Sequence, residues 1–407
     1  MDIRLLFATR TLRLFAYGFL SVILVLYLVA AGLSESRIGL LLTLTLVGDA
    51  AVSLWITTRA DRVGRKKMLL WGAALMIFAG ILFASTTSFV PLLIAATIGV
   101  ISPSGNEVGP FLAIEQAALA ETVAANRRTG VFAWYNLVGS FATATGALAG
   151  GALAQLLQAR GLAPLASYRA IVLGYAVIGA AMVLFFLKLS RAVEPPVQKR
   201  VQERPAFLKA HLGLDESRGK VFRLAGLFGI DAFAGGFIVQ AFVAYWFHTR
   251  FGVAPAALGA IFFGANILAG ISALSATWLA KRIGLLNTMV LTHIPSNLLL
   301  LLVPLMPTLP LAIGVLLARF SISQMDVPTR QAYTLALVTP GERSAAAGIT
   351  GIARTIGASL SPLLAGPLYA TAALASVPFF LCGGLKIAYD VLVWRTFRKV
   401  TLPEKRD

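Results

Sequence analysis

The chain has 407 residues, 58% of them hydrophobic and only 13% charged, with 35 Lys and Arg against 17 Asp and Glu. A soluble domain is about half apolar and a quarter charged, so this composition excludes one and requires an integral membrane protein. The net charge of +18 would suit a nucleic-acid binder, but the cations cluster at the ends of apolar blocks, which removes that partner.

Crossing a hydrocarbon core of about 30 Å takes roughly 20 apolar residues as helix. Blocks of that length run at 11–32, 38–58, 68–87, 91–117, 129–157 and 168–188, then at 222–247, 256–280, 287–305, 309–335, 345–371 and 376–397. They predict an all-α integral membrane fold: twelve transmembrane helices in two pseudo-symmetric six-helix bundles, residues 1–188 and 222–407. Residues 189–221, with Pro195, Pro196, Pro205 and His211, read as a basic cytoplasmic linker held near anionic lipid.

With a cytoplasmic N-terminus, only Arg37, Arg160, Arg169 and Arg250 fall outside, and Arg319, Arg354 and Lys386 fall within spans. The remaining cations lie at inner ends and loops. This asymmetry predicts both termini in the cytoplasm of a multi-pass protein of the cell (plasma or inner) membrane. Arg10 and Arg13 precede a first block of full spanning length with no small-residue cleavage site, so that block reads as a retained helix. The single cysteine, Cys382, excludes an intrachain disulfide.

Polar residues inside spans are costly and mark function by default. In span 2, Asp49 sits between Thr45 and Ser53 at four-residue steps. Span 4 carries the breaker-rich run Ser102 to Pro110, including Asn106 and Glu107, with Glu115 two turns onward. Trp134 and Tyr135 in span 5 and Tyr17 in span 1 are aromatic candidates for a cavity wall. Span 7 contributes Asp231. In span 10, Arg319, Ser323, Asp326 and Arg330 share one helical face, and Asp326 and Arg330 are spaced to pair at i, i+4. Arg354 in span 11 is a partner from another helix, and Lys386 and Asp390 in span 12 are spaced to neutralise each other. Asp49, Glu107 and Asp231 lack a cation on their own helices. A desolvated carboxyl favours its protonated form, so Glu107 and Asp231 are expected to line the cavity and at least one of them to carry the coupling proton. Glu115 and Arg330 are the expected pair of a cytoplasmic gate.

The chain also repeats itself. Shifted by 215 positions, Gln116-Ala117 falls on Gln331-Ala332, Arg128 on Arg343 and Gly151 on Gly366. The turn Ala60-Asp61-Arg62-Val63-Gly64 returns 220 positions later as Ala280-Lys281-Arg282-Ile283-Gly284. Duplication of a six-span half accounts for both.

Thr57 to Lys66 matches the pattern GxxxDRxGRR at Asp61, Arg62, Gly64, Arg65 and Lys66, lacking only the leading glycine. On this signature the whole chain resembles the major facilitator superfamily. The resemblance implies a gating role for Asp61, Arg62, Gly64 and Arg65, with Asp61 facing a helix end of the opposite half. A second family pattern, GxxxGPxxGG of antiporters, is approached in span 5 at Gly146, Gly150 and Gly151, with Ala142 and Ala147 departing from it. The register shift finds it again in span 11 at Gly357, Pro362 and Gly366. Small residues at these intervals also serve close helix packing.

The expectation is a secondary transporter working by alternating access, proton-coupled and exporting a small organic solute, with protons and the lipid bilayer as partners and a monomeric state. The alternatives are an importer or uniporter of an anionic metabolite, held by Arg319 and Arg354, and a non-transporting membrane receptor. No phosphate loop, metal-ligand spacing among His211, His248 and His293, or nucleophile arrangement is present, so no enzyme, no metal and no cofactor are expected.

Overall fold

The structure, a computed structural model, describes residues 1–124, 127–194, 214 and 217–400; most of the expected linker and His211 lie outside the described residues. The described residues form sixteen α-helices and no strand. Sixteen replace twelve because four expected spans are interrupted. The first is α1 (Asp2–Ser21) with α2 (Leu24–Ala30), bent by 46°. The fourth is α5 (Phe89–Ile98) with α6 (Phe111–Thr122), and the seventh is α9 (Arg218–Gly236) with α10 (Gln240–Phe251). The tenth is α13 (Leu309–Phe320) with α14 (Asp326–Ala336). The others are continuous: α3 (Glu35–Val63), α4 (Arg65–Ser85), α7 (Arg128–Ala159), α8 (Pro164–Leu187), α11 (Pro255–Ile283), α12 (Leu285–Leu302), α15 (Arg343–Tyr369) and α16 (Val377–Phe397). The opening member of every group of three spans is therefore the broken one.

Local chemistry explains the breaks. Between α5 and α6, Gly105 and Gly109 adopt φ of +71° and +82°, and Ser102 Oγ donates to the Asn106 carbonyl at 2.7 Å in place of a helical amide. After α13, the Gln324 N–H donates to Ser272 Oγ at 3.2 Å, and Pro328 lacks an N–H in the first turn of α14. By length and composition, eight described stretches suffice to cross a membrane, with α9 and α10 counted together as one, and nine with the bent α1–α2 pair. The halves of spans 4 and 10 are too short on their own, and α15 is long enough but too polar. The outward faces carry exposed Leu54, Trp71, Val177, Leu184, Leu274 and Leu360, while arginine and glutamate lie buried. That is the polarity of a protein whose solvent is lipid.

The chain resolves into two units, Met1–Pro205 with Val239–Phe263, and Ala206–Ile238 with Gly264–Asp407. In the first unit α1 packs along α7 and α8, α4 along α8, and α3 along α5; in the second α9 packs along α15 and α16, and α12 along α16. The pairs α1–α7, α4–α8 and α1–α8 thus recur as α9–α15, α12–α16 and α9–α16, the internal duplication seen in the sequence. The α1–α7 seam depends on absent side chains. A Cβ at Gly146 would lie 2.0 Å from the Phe15 carbonyl oxygen, and one at Gly150 would lie 2.2 Å from that of Phe19. In α9–α15, a Cβ at Gly357 would lie 2.2 Å from the Gly229 carbonyl oxygen. α15 runs through Pro362 and continues past Gly366 to Tyr369.

Val239–Phe263 belongs to the first unit through specific bonds. The Ala241 N–H donates to the Pro103 carbonyl at 3.1 Å, Gln240 Nε2 to Ser21 Oγ at 2.8 Å, and Tyr245 to Glu35 at 2.6 Å. A Cβ at Gly151 would lie 2.2 Å from the Pro255 carbonyl oxygen.

Candidate functional site: two buried charge networks

The first network grows from α1. Because this helix begins at Asp2, nine residues before the expected span, Arg10 and Arg13 lie along its buried face rather than at a cytoplasmic flank. Arg13 has no exposed side-chain surface. Its guanidinium donates to Glu115 through Nη1 at 2.9 Å and Nη2 at 2.7 Å, and to Glu107 through Nε at 2.8 Å. Arg10 pairs with Glu107 and donates to the Tyr135 carbonyl at 3.1 Å. Thr9 donates to Glu115 at 2.9 Å, and the Tyr135 hydroxyl also donates to it. Two guanidinium groups and two carboxylates balance, and the added hydrogen bonds offset the desolvation of each ion.

Glu107, which lacks a cation on its own span, takes its partners from another helix, where a search along that span could not find them. Asn106 sits exposed beside it with its carbonyl on Ser102. Asp49 on α3 accepts from Ser53 Oγ at 3.5 Å, its neighbour on the polar stripe. Tyr17 is buried and donates to the Val108 carbonyl at 3.0 Å, whereas Trp134 is exposed.

The second network centres on Asp231 of α9. Its carboxylate meets Lys386 Nζ of α16 at 2.5 Å, Arg354 of α15 at 2.8 Å and Arg330 of α14 at 3.2 Å, with His293 Nε2 of α12 at 3.9 Å. Asp231, too, takes its cations from other helices. Asp326 and Arg330 form the expected i, i+4 pair at 2.7 Å. Lys386 and Asp390 do not pair with each other. Lys386 turns to Asp231, and Asp390 accepts from His293 Nδ1 at 2.9 Å and from Asn297 Nδ2 at 3.4 Å. The expected shared face of span 10 is divided by the break at 321–325, which separates Arg319 from Asp326 and Arg330. Arg319 Nε and Ser323 Oγ are buried and have no hydrogen-bond partner among the described residues.

The sequence reading missed Arg10 and Arg13, taken as membrane-edge cations, and His293, taken as a scattered histidine. The spacing Arg10/Arg13 on one helical face was the available signal; nothing local marked His293. Glu115 and Arg330, the expected gate residues, each have partners inside their own unit.

At the signature turn, Gly64 takes φ +117° and lets α4 start one residue after α3 ends; Gly284 does the same at +85° between α11 and α12. Arg65 donates to Asp61 at 2.8 Å. Glu194 caps α4 by accepting the N–H groups of Arg65 at 2.8 Å and Lys66 at 3.2 Å, an anion at a helix N-terminus. Lys66 Nζ reaches the carbonyls of Leu187 and Leu189. Arg62 also has interactions within the fold. No group of His, Cys, Asp and Glu able to hold a metal ion occurs among the described residues.

Comparison with known proteins bears on the same architecture. A membrane protein of Saccharomyces cerevisiae, YJR124C, is 30% identical over 417 residues, spanning 96% of this chain and 93% of its own. The crystal structure of the nucleoside transporter NupG is similar with a TM-score of 0.74 at 14% identity, covering 98% of this chain and 100% of that one. The D-xylose-proton symporter gives 0.72 at 15%, covering 97% of each chain. The human organic anion transporter MFSD10 gives 0.61 at 18%, covering 96% and 98%. The family model of the Major Facilitator Superfamily matches residues 6–362, and the chain belongs to this superfamily of membrane transporters.

Proposed function

We propose that this transporter exchanges a small organic solute for protons by alternating access, exporting the solute across the cell membrane with both termini in the cytoplasm. The observation that carries the reading is the Asp231 hub, a buried carboxylate shared by Lys386, Arg354 and Arg330 from three helices. In such a balanced network one added proton or one ionised solute leaves an uncompensated charge in a low-dielectric site. Only a change of partners answers it, which ties occupancy to conformation. Arg10, Arg13, Glu107 and Glu115 supply a balanced network in the other unit, with Asp49 beside it. The Asp61–Arg65 turn is the gating element in this reading. Export rests on the small-residue pattern of α7, shared with antiporters.

The test is flux in proteoliposomes of labelled nucleosides, pentoses and organic anions, the solute classes named for the structural neighbours, with the pH gradient imposed or collapsed by a protonophore. Exchange driven by the gradient and lost in Asp231→Asn supports the reading; flux indifferent to the gradient overturns the proton coupling. Binding without passage points to a receptor.

Arg319 favours a second reading, uniport or import of an anionic metabolite. Its Nε is buried with no hydrogen-bond partner among the described residues, and Arg354 keeps 32% of its side chain exposed, so both have donors to offer a carboxylate or phosphate. Flux of an anion that persists after the gradient is collapsed would select it.

A further inference from the structure

His293 lies between two carboxylates that belong to different helices. Its Nδ1 is 2.9 and 3.1 Å from the two oxygens of Asp390 on α16, and its Nε2 is 3.9 Å from Asp231 Oδ1 on α9. The ring is almost fully buried and meets Tyr389 edge-on, with centroids 6.1 Å apart. The oxygen that Nε2 faces is the one held by Lys386. The other charged groups around it are Arg354 from α15 and Asp326 and Arg330 from α14, with Asn297 from α12 as a neutral donor to Asp390. Arg319 approaches from α13 on the side of Asp326 and Cys382.

The direct ion pairs join Asp231 and Asp326 to Arg330, Arg354 and Lys386, while the ion-pair partner of Asp390 is the imidazole itself; with an ionised Asp390 and a neutral ring the six fixed charges cancel. With Nδ1–H donated to Asp390, Nε2 presents a lone pair toward Asp231. That leaves a gap of 3.9 Å, too long for a hydrogen bond. Imidazole is the side chain that changes charge between about pH 5 and 8. Asp231, Asp326, Arg330, Arg354 and Lys386 are paired with one another and Nδ1 is committed to Asp390, which leaves the Nε2 lone pair as the open proton site on the ring.

The geometry points to His293, oriented by Asp390, as the site where the coupling proton enters the second unit, and to its protonation as the step that moves Asp231 Oδ1 from Lys386 to His293. The inference rests on the proton-coupled reading and assigns its site. A proton from water adds to Nε2; Nδ1–H stays on Asp390. The new Nε2–H is aimed at Oδ1 and competes for it with the Lys386 ammonium, which keeps its own protons and becomes free to meet an anionic group. Loss of the Nε2 proton to water restores the starting pairs. Pro295, two residues on, removes an amide from the helix ladder of α12 and allows a local adjustment there.

The test needs no transported solute. The full-length protein, labelled with 15N-histidine in lipid nanodiscs, gives imidazole resonances whose nitrogens report protonation directly, and the His293 signals are those missing from His293→Gln. The expected result is one protonated nitrogen at pH 8.5 and two at pH 6. At fixed pH the imidazolium to imidazole ratio should fall about tenfold in Asp390→Asn and rise about tenfold in Lys386→Met, since one removes a stabilising anion and the other a competing cation. Should Asp390→Asn fail to fold, the wild type and Lys386→Met still decide. A His293 that keeps one state from pH 6 to 8.5, or a ratio unmoved or lowered by Lys386→Met, overturns the proposal. If the titration appears as stated but transport ignores a pH gradient, the coupling reading falls while the proton site stands.

Discussion

Arg13 grips Glu115 with both ends of its guanidinium, Nη1 on Oε1 and Nη2 on Oε2, in a pair from which solvent is fully excluded. Its Nε–H is donated to Glu107, so one arginine on α1 bridges the two carboxylates on either side of the start of α6, with Glu107 shared with Arg10.

Removing Arg13 leaves Glu115 with no cation and Glu107 with Arg10 alone, whereas removing Glu115 leaves a cation that still pairs with Glu107. Arg13→Gln is expected to cost at least the 3–5 kcal/mol typical of a broken buried pair, and Glu115→Gln less, because Glu107 still accepts from Arg13. Thermal unfolding of purified protein in detergent checks the order; an equal or reversed ranking counts against the network as described.

The Asp231 hub makes the analogous prediction with a compensating partner. Asp231→Asn leaves Lys386, Arg354 and Arg330 short of one anion and should lower stability by about 3–5 kcal/mol. Adding Lys386→Met restores the charge balance, so the double variant should recover most of the lost thermal stability while remaining inactive in gradient-driven flux. A double variant no more stable than the single one would show that charge balance is not what the hub supplies.

The helix seam is testable by size alone. Gly146→Val places atoms where the Phe15 carbonyl already stands and should cost more than the 1–3 kcal/mol of ordinary overpacking. Gly348→Ala on α15, where nothing lies within 4 Å of the new carbon, should stay within about 0.5 kcal/mol of wild type. Yield of monodisperse protein on gel filtration separates the two.

Glu194→Ala removes the acceptor for two amides at the start of α4 and should cost about 1 kcal/mol, the usual value of an N-terminal cap. Hydrogen exchange at the Arg65 and Lys66 amides should accelerate while the middle of α4 is unchanged; uniform acceleration along the helix would point to general destabilisation instead.

How much of this was legible in the sequence follows from the range of each interaction. Span lengths, the Gly64 turn and the duplication depend on local composition and register, and all are readable along the chain. The Asp326–Arg330 pair, four residues apart, was readable for the same reason. Glu107 with Arg10, Asp231 with Lys386, and His293 with Asp390 join residues 97, 155 and 97 positions apart, and no periodicity within one span encodes them. The four breaks were half visible: the Gly and Pro run at 102–110 announced one, but Val22 and Ile23, which are apolar, gave no hint that α1 ends there.

The four interrupted spans carry a further consequence. A continuous rod spends its amides within itself; a severed one spends some on its surroundings, as the Asn106 carbonyl, the Ala241 N–H and the Gln324 N–H do. Two of those three bonds end on a serine hydroxyl, so the breaks are held partly by side chains and are open to point substitution in a way that an unbroken helix ladder is not.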